Sequence, residues 1–201
     1  MKGHRGFARF WSWQVRREPG RIKKIRQEIV SGARGRVLEV GFGVGSNWEY
    51  LPADVDYTGI EPDEYMLERA IQNAHAEGLE LELEAHDVQS LPYEDDSFDT
   101  VITTLTFCSV PDAHTGLAEI NRVLKPGGEL RFAEHVRSQS RLGVGLQRLL
   151  KPITRRAAGG CEWDRDTVST IRSAGFVKVS FKRSQISILP VAYGSCSKDQ
   201  P

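Results

Sequence analysis

The sequence is poor in cysteine, in net charge and in long hydrophobic runs. Its 201 residues include 3 cysteines and no CxxC pair, so the cysteines cannot all pair internally, which fits a reducing compartment better than a disulfide scaffold. Lysine plus arginine and aspartate plus glutamate number 27 each, so no overall field draws the chain to nucleic acid or to a membrane. No stretch reaches the length of a membrane span, and the basic N terminus lacks the apolar run of a signal peptide. We therefore predict one sizeable core and a cytoplasmic location.

Charge is nevertheless spread unevenly along the chain. The first 36 residues carry eleven cations against two acids, a net charge of +9. This segment mixes aromatic residues with arginines, and Ile22, Ile25 and Ile29 recur at helical spacing. We predict that residues 1–35 form a helical cap. A substrate-gating lid, or a basic surface that contacts anionic lipid peripherally, stays open as an alternative.

From residue 36 onward, short apolar strands alternate with amphipathic helical segments. This order predicts an α/β domain over 36–201, built on a Rossmann-like, doubly wound and mostly parallel sheet of seven strands. Leucine alternates with glutamate over 79–84, which indicates a strand at a sheet edge. Proline and two glycines at 126–128 are expected to stop a helix before the fifth strand. The remaining expectations are a short helix near 142–150, a loop over 155–160, a helix over 164–174, strands over 176–182 and 186–193, and a frayed tail over 195–201.

One stretch near the start of this domain has the composition of a ligand-binding turn. A short apolar strand at 37–40 runs into Gly41, Gly43 and Gly45, and a helix is expected just after them. Such glycines let the backbone turn sharply and approach a ligand with no Cβ in the way. A dinucleotide site would need a further glycine where Ser46 stands.

Two carboxylates narrow the class of ligand. Glu39 directly precedes the turn, where it would repel a pyrophosphate and suit a cationic or ammonium-bearing ligand. Glu61 lies about 20 residues beyond Gly41, the spacing at which an acid accepts hydrogen bonds from ribose hydroxyls. Together they argue against NAD and against a phosphate-cradling loop.

Five segments stand in order along the chain: 39–45, residue 61, 86–88, 97–101 and 124–128. In this order and spacing they resemble the motifs of class I S-adenosylmethionine-dependent methyltransferases of type 11, over roughly residues 35–184. The resemblance implies S-adenosyl-L-methionine as methyl donor, S-adenosyl-L-homocysteine as product, a small-molecule acceptor and an antiparallel last strand in the sheet.

The same resemblance implies which residues bind the donor. The glycine turn would surround the methionyl portion, and the acid beyond the second strand would hold the ribose. The implied residues are Glu39, Gly41, Gly43, Gly45 and Asn47 at the methionyl group, Glu61 at the ribose, His86, Asp87, Val88, Pro62 and Met66 at the adenine, and Thr104 and Leu105 beside the reacting methyl group.

A further set of matches concerns the acceptor: segments 104–110, 134–136 and 160–162. They resemble the small-molecule thiol methyltransferase branch, which implies a thiol or natural-product acceptor. Cys108, His135 and Cys161 are the candidate pocket residues. His135, at the end of the fifth strand, is the candidate general base, although a thiol that arrives as thiolate needs none. The sequence does not establish that the cysteines converge, so no metal site is predicted.

Several alternatives stay open. Animal members of the thiol branch carry a hydrophobic N-terminal anchor, and this chain departs from them with its charged, aromatic segment. A phospholipid or another oxygen or nitrogen acceptor remains an alternative, as does a non-catalytic binding module with the same fold. The residues at 104–107 lack the Asn/Asp-Pro-Pro-Tyr type tetrad of base-modifying enzymes, which argues against nucleic acid as partner. The oligomeric state is not predicted.

Overall fold

The computed structural model describes most of the chain. It covers residues 18–157 (backbone only at 156 and 157), 160–186 and 189–200, with Gly6, Ala8, Trp11, Ser12 and Val15 from the N-terminal segment. Residues 6, 8, 11, 12 and 15 are helical, as expected for a cap. The aromatic residues Phe7, Phe10 and Trp13 of the same segment lie outside the described residues. The division into cap and domain at residue 35 stays a prediction.

Seven strands of the described residues form one sheet. They are β1 Arg36–Val40, β2 Asp56–Ile60, β3 Glu82–Glu84, β4 Phe98–Thr104, β5 Leu124–His135, β6 Phe176–Ile186 and β7 Leu189–Lys198. The order across the sheet is β3-β2-β1-β4-β5-β7-β6, and β3 lies at an edge as predicted. Neighbours from β3 to β5 are parallel, whereas β7 is antiparallel to both β5 and β6. The predicted doubly wound sheet with an antiparallel last strand is confirmed.

The described helices of more than one turn are α1 Gly20–Val30, α2 Glu64–Glu77, α3 Ala113–Val123, α4 Arg141–Ala157 and α5 Thr167–Ser173. Three of them begin after an aspartate, Asp63, Asp112 and Asp166, whose side chain accepts a hydrogen bond from a backbone N–H of the first turn. Gly78 ends α2 in the left-handed conformation with φ 69°, which is a common helix stop. Helix α5 begins at Thr167, later than the predicted start at residue 164, because Asp166 rather than Asp164 caps it.

The sheet buries apolar side chains on both faces, because successive residues of a strand point to opposite sides. Leu38 of β1 belongs to a core cluster that includes α3 and α5 residues such as Ile120 and Ile171. Its neighbour Val37 belongs to a second cluster, which contains the isoleucines of α1, including Ile25. Helix α1 therefore packs directly on the sheet.

The segment after the glycine turn differs from the prediction. The expected helix is replaced by a single 3₁₀ turn, Trp48–Tyr50. Leu51 follows with an extended backbone at ψ 135°, and it precedes Pro52. Because the ring of a proline disfavours helical dihedrals in the residue before it, the helix cannot continue through this position.

The C-terminal third is more regular than predicted. Residues 155–157 belong to α4 rather than to a loop. Residues 126–128 lie within β5, where the four residues 125–128 lie opposite the single residue Asp99, between the pairs Phe98–Leu124 and Thr100–Glu129. The expected frayed tail is wrong over 195–198, since these residues pair with β5 and β6. Ladder hydrogen bonds to two neighbouring strands hold a polar segment that its composition alone marks as loose.

Candidate functional site

The glycine turn follows β1, at the point where the strand order of the sheet reverses. From β1 the sheet continues through β2 on one side and through β4 and β5 on the other, and ligands of open α/β sheets bind at such a switch point. Gly41 and Gly45 have φ 68° and 90°, and a Cβ at either would lie 2.4 Å from the side chain of Thr106 or of Trp48. At Gly43, with φ 62°, the nearest atom to an added Cβ is 3.9 Å away. The backbone therefore demands glycine at all three positions, and it is most open at the middle one.

Glu39 is buried beside the glycine turn, and both of its carboxylate oxygens accept hydrogen bonds. It is 1% exposed, and it accepts hydrogen bonds from Asn47 Nδ2 at 2.6 Å and from the Tyr57 hydroxyl at 2.7 Å. Burial raises the pKa of this carboxyl, while the hydrogen bonds and the nearby Arg26 oppose that shift. Glu39 thus holds the amide of Asn47 in place beside the turn.

Arg26 of α1 also belongs to this hydrogen-bond network, although the sequence did not predict it. Its guanidinium is buried, and it donates to Asn47 Oδ1 at 2.9 Å and to Thr104 Oγ1 at 2.8 Å. A salt bridge to Glu18 occupies its other side at 2.9 Å. The structure thus brings together Asn47 and Thr104, both predicted, around an unpredicted cation.

A signal for Arg26 was present in the sequence. Residue 26 follows Ile22 by four positions and precedes Ile29 by three, so it falls on the apolar face of its own helix. A charged residue on a buried face needs polar partners, and here they are Asn47 after the glycine turn, Thr104 at the end of β4 and the carboxylate of Glu18.

Glu61 connects β2 to the glycine turn. Its Oε2 accepts a hydrogen bond from the backbone N–H of Gly43, and its Oε1 accepts one from that of Asp63, each at 3.0 Å. The side chain is 8% exposed, and burial raises its pKa to about 7. The carboxylate therefore lies at the turn, at the position predicted for a ribose-binding acid.

The residues predicted at the adenine lie at the ends of β2 and β3 and differ in burial. Val88 and Met66 are buried, whereas Asp87 and Pro62 are exposed and His86 is half-buried. The Asp87 carboxylate accepts a hydrogen bond from the backbone N–H of Gln89 at 2.9 Å, which fixes its orientation. The residues predicted at the adenine are therefore more exposed to solvent than Glu39 and Asn47 beside the glycine turn.

The end of β4 carries backbone strain. Leu105 has φ 58°, which is rare for a branched side chain, and its N–H donates to the carbonyl of Ala133 at 2.7 Å. The buried Glu134 carboxylate accepts from the backbone N–H groups of Thr106 and Phe107 at 3.2 and 3.0 Å. These contacts fix the turn that follows the predicted methyl-transfer position.

The three residues predicted for the acceptor pocket converge. Cys108 lies in the turn after β4, His135 ends β5 and Cys161 follows α4, yet one ligand atom of each lies within 4.8 Å of the others. Cys161 Sγ is 3.7 Å from His135 Nδ1. All three residues are buried, at 1%, 8% and 5% exposure in chain order. Burial lowers the pKa of His135, but its contacts with Cys108 and Glu134 outweigh this and leave the pKa raised.

Comparison with known proteins finds methyltransferases that match much of the chain. The family described as a methyltransferase domain matches residues 38–132. The thiol S-methyltransferase TMT1B of Rattus norvegicus is 34% identical over 151 residues, which are 73% of this chain and 62% of that protein. TMT1B of Mus musculus is 31% identical over 189 residues, 88% of this chain and 77% of that protein.

The solved structures agree on the fold. The [4+2]-cyclase SpnF superposes with a TM-score of 0.72 at 20% identity, over 90% of this chain and 82% of that chain. Such a likeness concerns architecture alone, since SpnF is described as a cyclase. The chain spans less than two thirds of the length of the rat protein. Within the described residues, no helix combines the length and apolar character needed to cross a bilayer.

Proposed function

Because the chain belongs to the class I S-adenosylmethionine-dependent methyltransferases, we propose that it transfers a methyl group from S-adenosylmethionine to the sulfur of a small thiol. The observation that carries the donor assignment is the cluster at the carboxyl ends of β1, β2 and β4. There the side-chain amide of Asn47 donates to Thr104 Oγ1, and the Glu61 carboxylate accepts from the backbone N–H of Gly43 in the glycine turn.

The donor would be oriented by groups of both charges. Glu61, in its ionised form, would accept hydrogen bonds from the ribose hydroxyls. Asn47 would bind the methionyl portion, and Thr104 and Leu105 would lie beside the reacting methyl group. The Arg26 guanidinium next to Asn47 would supply the positive charge that a methionyl carboxylate requires. Asp87 would accept from the adenine amino group, with the remaining predicted adenine residues His86, Val88, Pro62 and Met66 around the ring.

Methyl transfer from this donor requires the protein mainly to position the donor and the acceptor. S-adenosylmethionine, when bound, supplies an already activated methyl group. The chain would hold donor and acceptor in line, and the rigid turn after β4 would place the acceptor. A thiol that arrives as thiolate needs no general base, so the base role of His135 stays a prediction for other acceptors.

Relatives favour a thiol over the alternatives. The thiol S-methyltransferases TMT1B of rat and mouse match 73% and 88% of this chain, and two buried cysteines belong to the predicted pocket. A phospholipid acceptor is therefore less supported. A non-catalytic binding module would bind the donor and turn nothing over.

Turnover of a donor with a deuterated methyl group tests the proposal. Small thiols, a phosphatidylethanolamine vesicle and a small phenol or amine are offered in parallel, and products are identified by mass. We expect a deuteromethyl thioether and S-adenosylhomocysteine in equal amounts from thiols. Transfer only to lipid, oxygen or nitrogen would contradict the thiol assignment, and binding of S-adenosylhomocysteine without any turnover would establish the binding module.

A further inference from the structure

Cys108, His135 and Cys161 form a cluster with the composition of a metal site. Two sulfurs and one imidazole nitrogen converge within 4.8 Å, and each belongs to a residue at least nine-tenths buried. We propose that these three side chains bind one divalent ion of the zinc class and leave its fourth coordination position for the sulfur of the thiol substrate.

The distances suit such an ion. A tetrahedral zinc ion bound at about 2.3 Å by sulfur and about 2.1 Å by nitrogen requires ligand atoms that lie roughly 3.5–3.8 Å apart. Cys161 Sγ and His135 Nδ1 already meet this requirement at 3.7 Å. No separation in the cluster exceeds this range by more than about 1 Å, which a small rotation of one cysteine side chain supplies. Two thiolates and an imidazole are ligands that zinc prefers over magnesium or calcium.

The backbone holds each ligand in place by separate contacts. The carbonyl of Cys108 accepts from the N–H of Glu162 at 2.7 Å, which ties the turn after β4 to the segment that carries Cys161. The carbonyls of Cys161 and His135 accept from hydroxyls of threonines in α4 and α5, each at 3.3 Å. Three elements distant in sequence are therefore fixed around one point before any ion arrives, as in a preformed site.

The segment that carries Cys161 has an additional anchor. The Glu162 carboxylate forms salt bridges with Lys151 at 3.3 Å and with Arg165 at 3.2 Å, and the Arg165 guanidinium donates to the carbonyl of Phe107 at 3.0 Å. Phe107 precedes Cys108 directly. The charged groups thus position the two cysteines relative to each other without occupying their sulfurs.

The cluster lies beside the predicted methyl-transfer position. Cys108 Sγ is 3.4 Å from the carbonyl oxygen of Leu105, the residue that follows β4. On the proposed function, a substrate thiol would bind the ion through sulfur and release its proton to solvent. That sulfur would then form a bond to the methyl carbon, while the electron pair of the broken carbon–sulfonium bond remains on S-adenosylhomocysteine. The ion itself changes no oxidation state.

Metal content tests the site independently of activity. Purified under reducing conditions and dialysed against zinc, the wild-type protein should retain about one ion per chain, measured by mass spectrometry of the element. Cys108→Ser and Cys161→Ser should each lower the retained zinc at least about tenfold, since a structural ligand is lost. Cys196→Ser is the matched control, because Cys196 is equally buried but lies in β7 outside the cluster, and it should retain zinc.

Cobalt substitution then tests the open position. Addition of a small thiol should intensify the sulfur-to-cobalt charge-transfer absorption of the wild-type protein, because a third sulfur joins the ion. An unchanged spectrum would overturn the substrate role. A wild-type protein without bound metal, or with a Cys108–Cys161 disulfide that yields no metal site after reduction, would overturn the whole proposal.

These outcomes are separable from those of the proposed function. A protein that binds zinc and shows the thiol-dependent spectrum but produces no methyl thioether would retain the site and refute the methyl transfer. Methyl transfer to thiols by a protein free of metal would support the proposed function and refute the metal site.

Discussion

The proposed donor side, around the glycine turn, and the proposed acceptor side, at Cys108, His135 and Cys161, are built from different kinds of chemical group. On the donor side, charged and polar groups such as Arg26 and Glu39 are buried in a closed hydrogen-bond network. On the acceptor side, two thiols and an imidazole converge, and their backbones are fixed by neighbouring elements. The first side is suited to a ligand with many hydrogen-bonding groups, and the second to a soft atom. The two sides should therefore respond separately to mutation.

The largest effect is expected at Arg26, because it connects α1 to the donor network. Arg26→Met would leave the Glu18 carboxylate, 11% exposed, without its partner. Loss of one member of a buried pair costs about 3–5 kcal/mol, so the free energy of unfolding should fall by about 3 kcal/mol. Urea denaturation measures it. Lys24→Met, an exposed position of the same helix, is the control and should change stability by less than about 0.5 kcal/mol. Equal effects of the two variants would show that the network contributes nothing to stability.

Glu61 should govern donor affinity rather than stability. In Glu61→Gln the carboxylate charge that favours the ribose hydroxyls is lost, and charge-assisted hydrogen bonds contribute about 1.5–3 kcal/mol each. We expect S-adenosylhomocysteine to bind about 10- to 100-fold more weakly by calorimetry. Glu64→Gln, on the exposed side of α2, should bind within about twofold of wild type. An unchanged affinity in Glu61→Gln would remove the ribose role.

The raised pKa of Glu61 predicts how affinity depends on pH. Burial raises this pKa to about 7 in the free protein, and the ribose hydroxyls bind the ionised form. Affinity for S-adenosylhomocysteine should therefore rise roughly tenfold between about pH 6 and pH 8, and the rise should vanish in Glu61→Gln. The sign for stability is opposite. The folded state binds this proton more tightly than the unfolded state, so the contribution of Glu61 to stability falls as the pH rises from 4.5 towards 7.

A smaller effect is expected at Asp87, which lies at the open end of the donor side. Asp87→Ala would remove one hydrogen bond to the adenine amino group, worth about 0.5–1.5 kcal/mol, and weaken S-adenosylhomocysteine binding about three- to tenfold. Asp54→Ala, another exposed aspartate, is the control in the same calorimetric titration. A loss as large as that of Glu61→Gln would show that the adenine, rather than the ribose, dominates recognition.

The glycine turn of the proposed donor side could be predicted from sequence because its residues lie in one short continuous motif. Glu39, the glycines and Asn47 stand within nine positions, and a strand followed by a glycine turn fixes their arrangement locally. Arg26 was missed because its role depends on how α1 packs against the sheet. The spacing of the isoleucines indicates that Arg26 lies on the apolar face of its helix, but it does not identify its partners, Asn47 after the glycine turn and Thr104 at the end of β4.

The residues of the proposed acceptor side were predicted from the sequence, but their convergence was not. Cys108, His135 and Cys161 are more than 25 residues apart in sequence, so their convergence depends on the lengths of α4 and β5. The sequence placed a loop over 155–160, where the structure continues α4 to Ala157, and this changes where the chain returns towards Cys108. The prediction of no metal site followed from that missing geometry, and the cluster now supports the opposite proposal.

The same division implies that donor binding and turnover can be separated in a single variant. Cys161→Ser should bind S-adenosylhomocysteine within about twofold of wild type, because the substitution leaves the donor network intact. Its kcat/KM for a small thiol should fall at least about 100-fold, as expected when a metal-bound nucleophile is lost. Cys196→Ser should match wild type in both measurements.

The separation of donor binding from turnover is tested most directly by two measurements on Cys161→Ser and Cys196→Ser: the affinity for S-adenosylhomocysteine by calorimetry and the rate of thiol methylation. Unchanged donor affinity with lost turnover in Cys161→Ser alone is the expected result. Equal turnover in the two variants, or a loss of donor affinity in Cys161→Ser that matches its loss of turnover, would contradict the separation of the two sides.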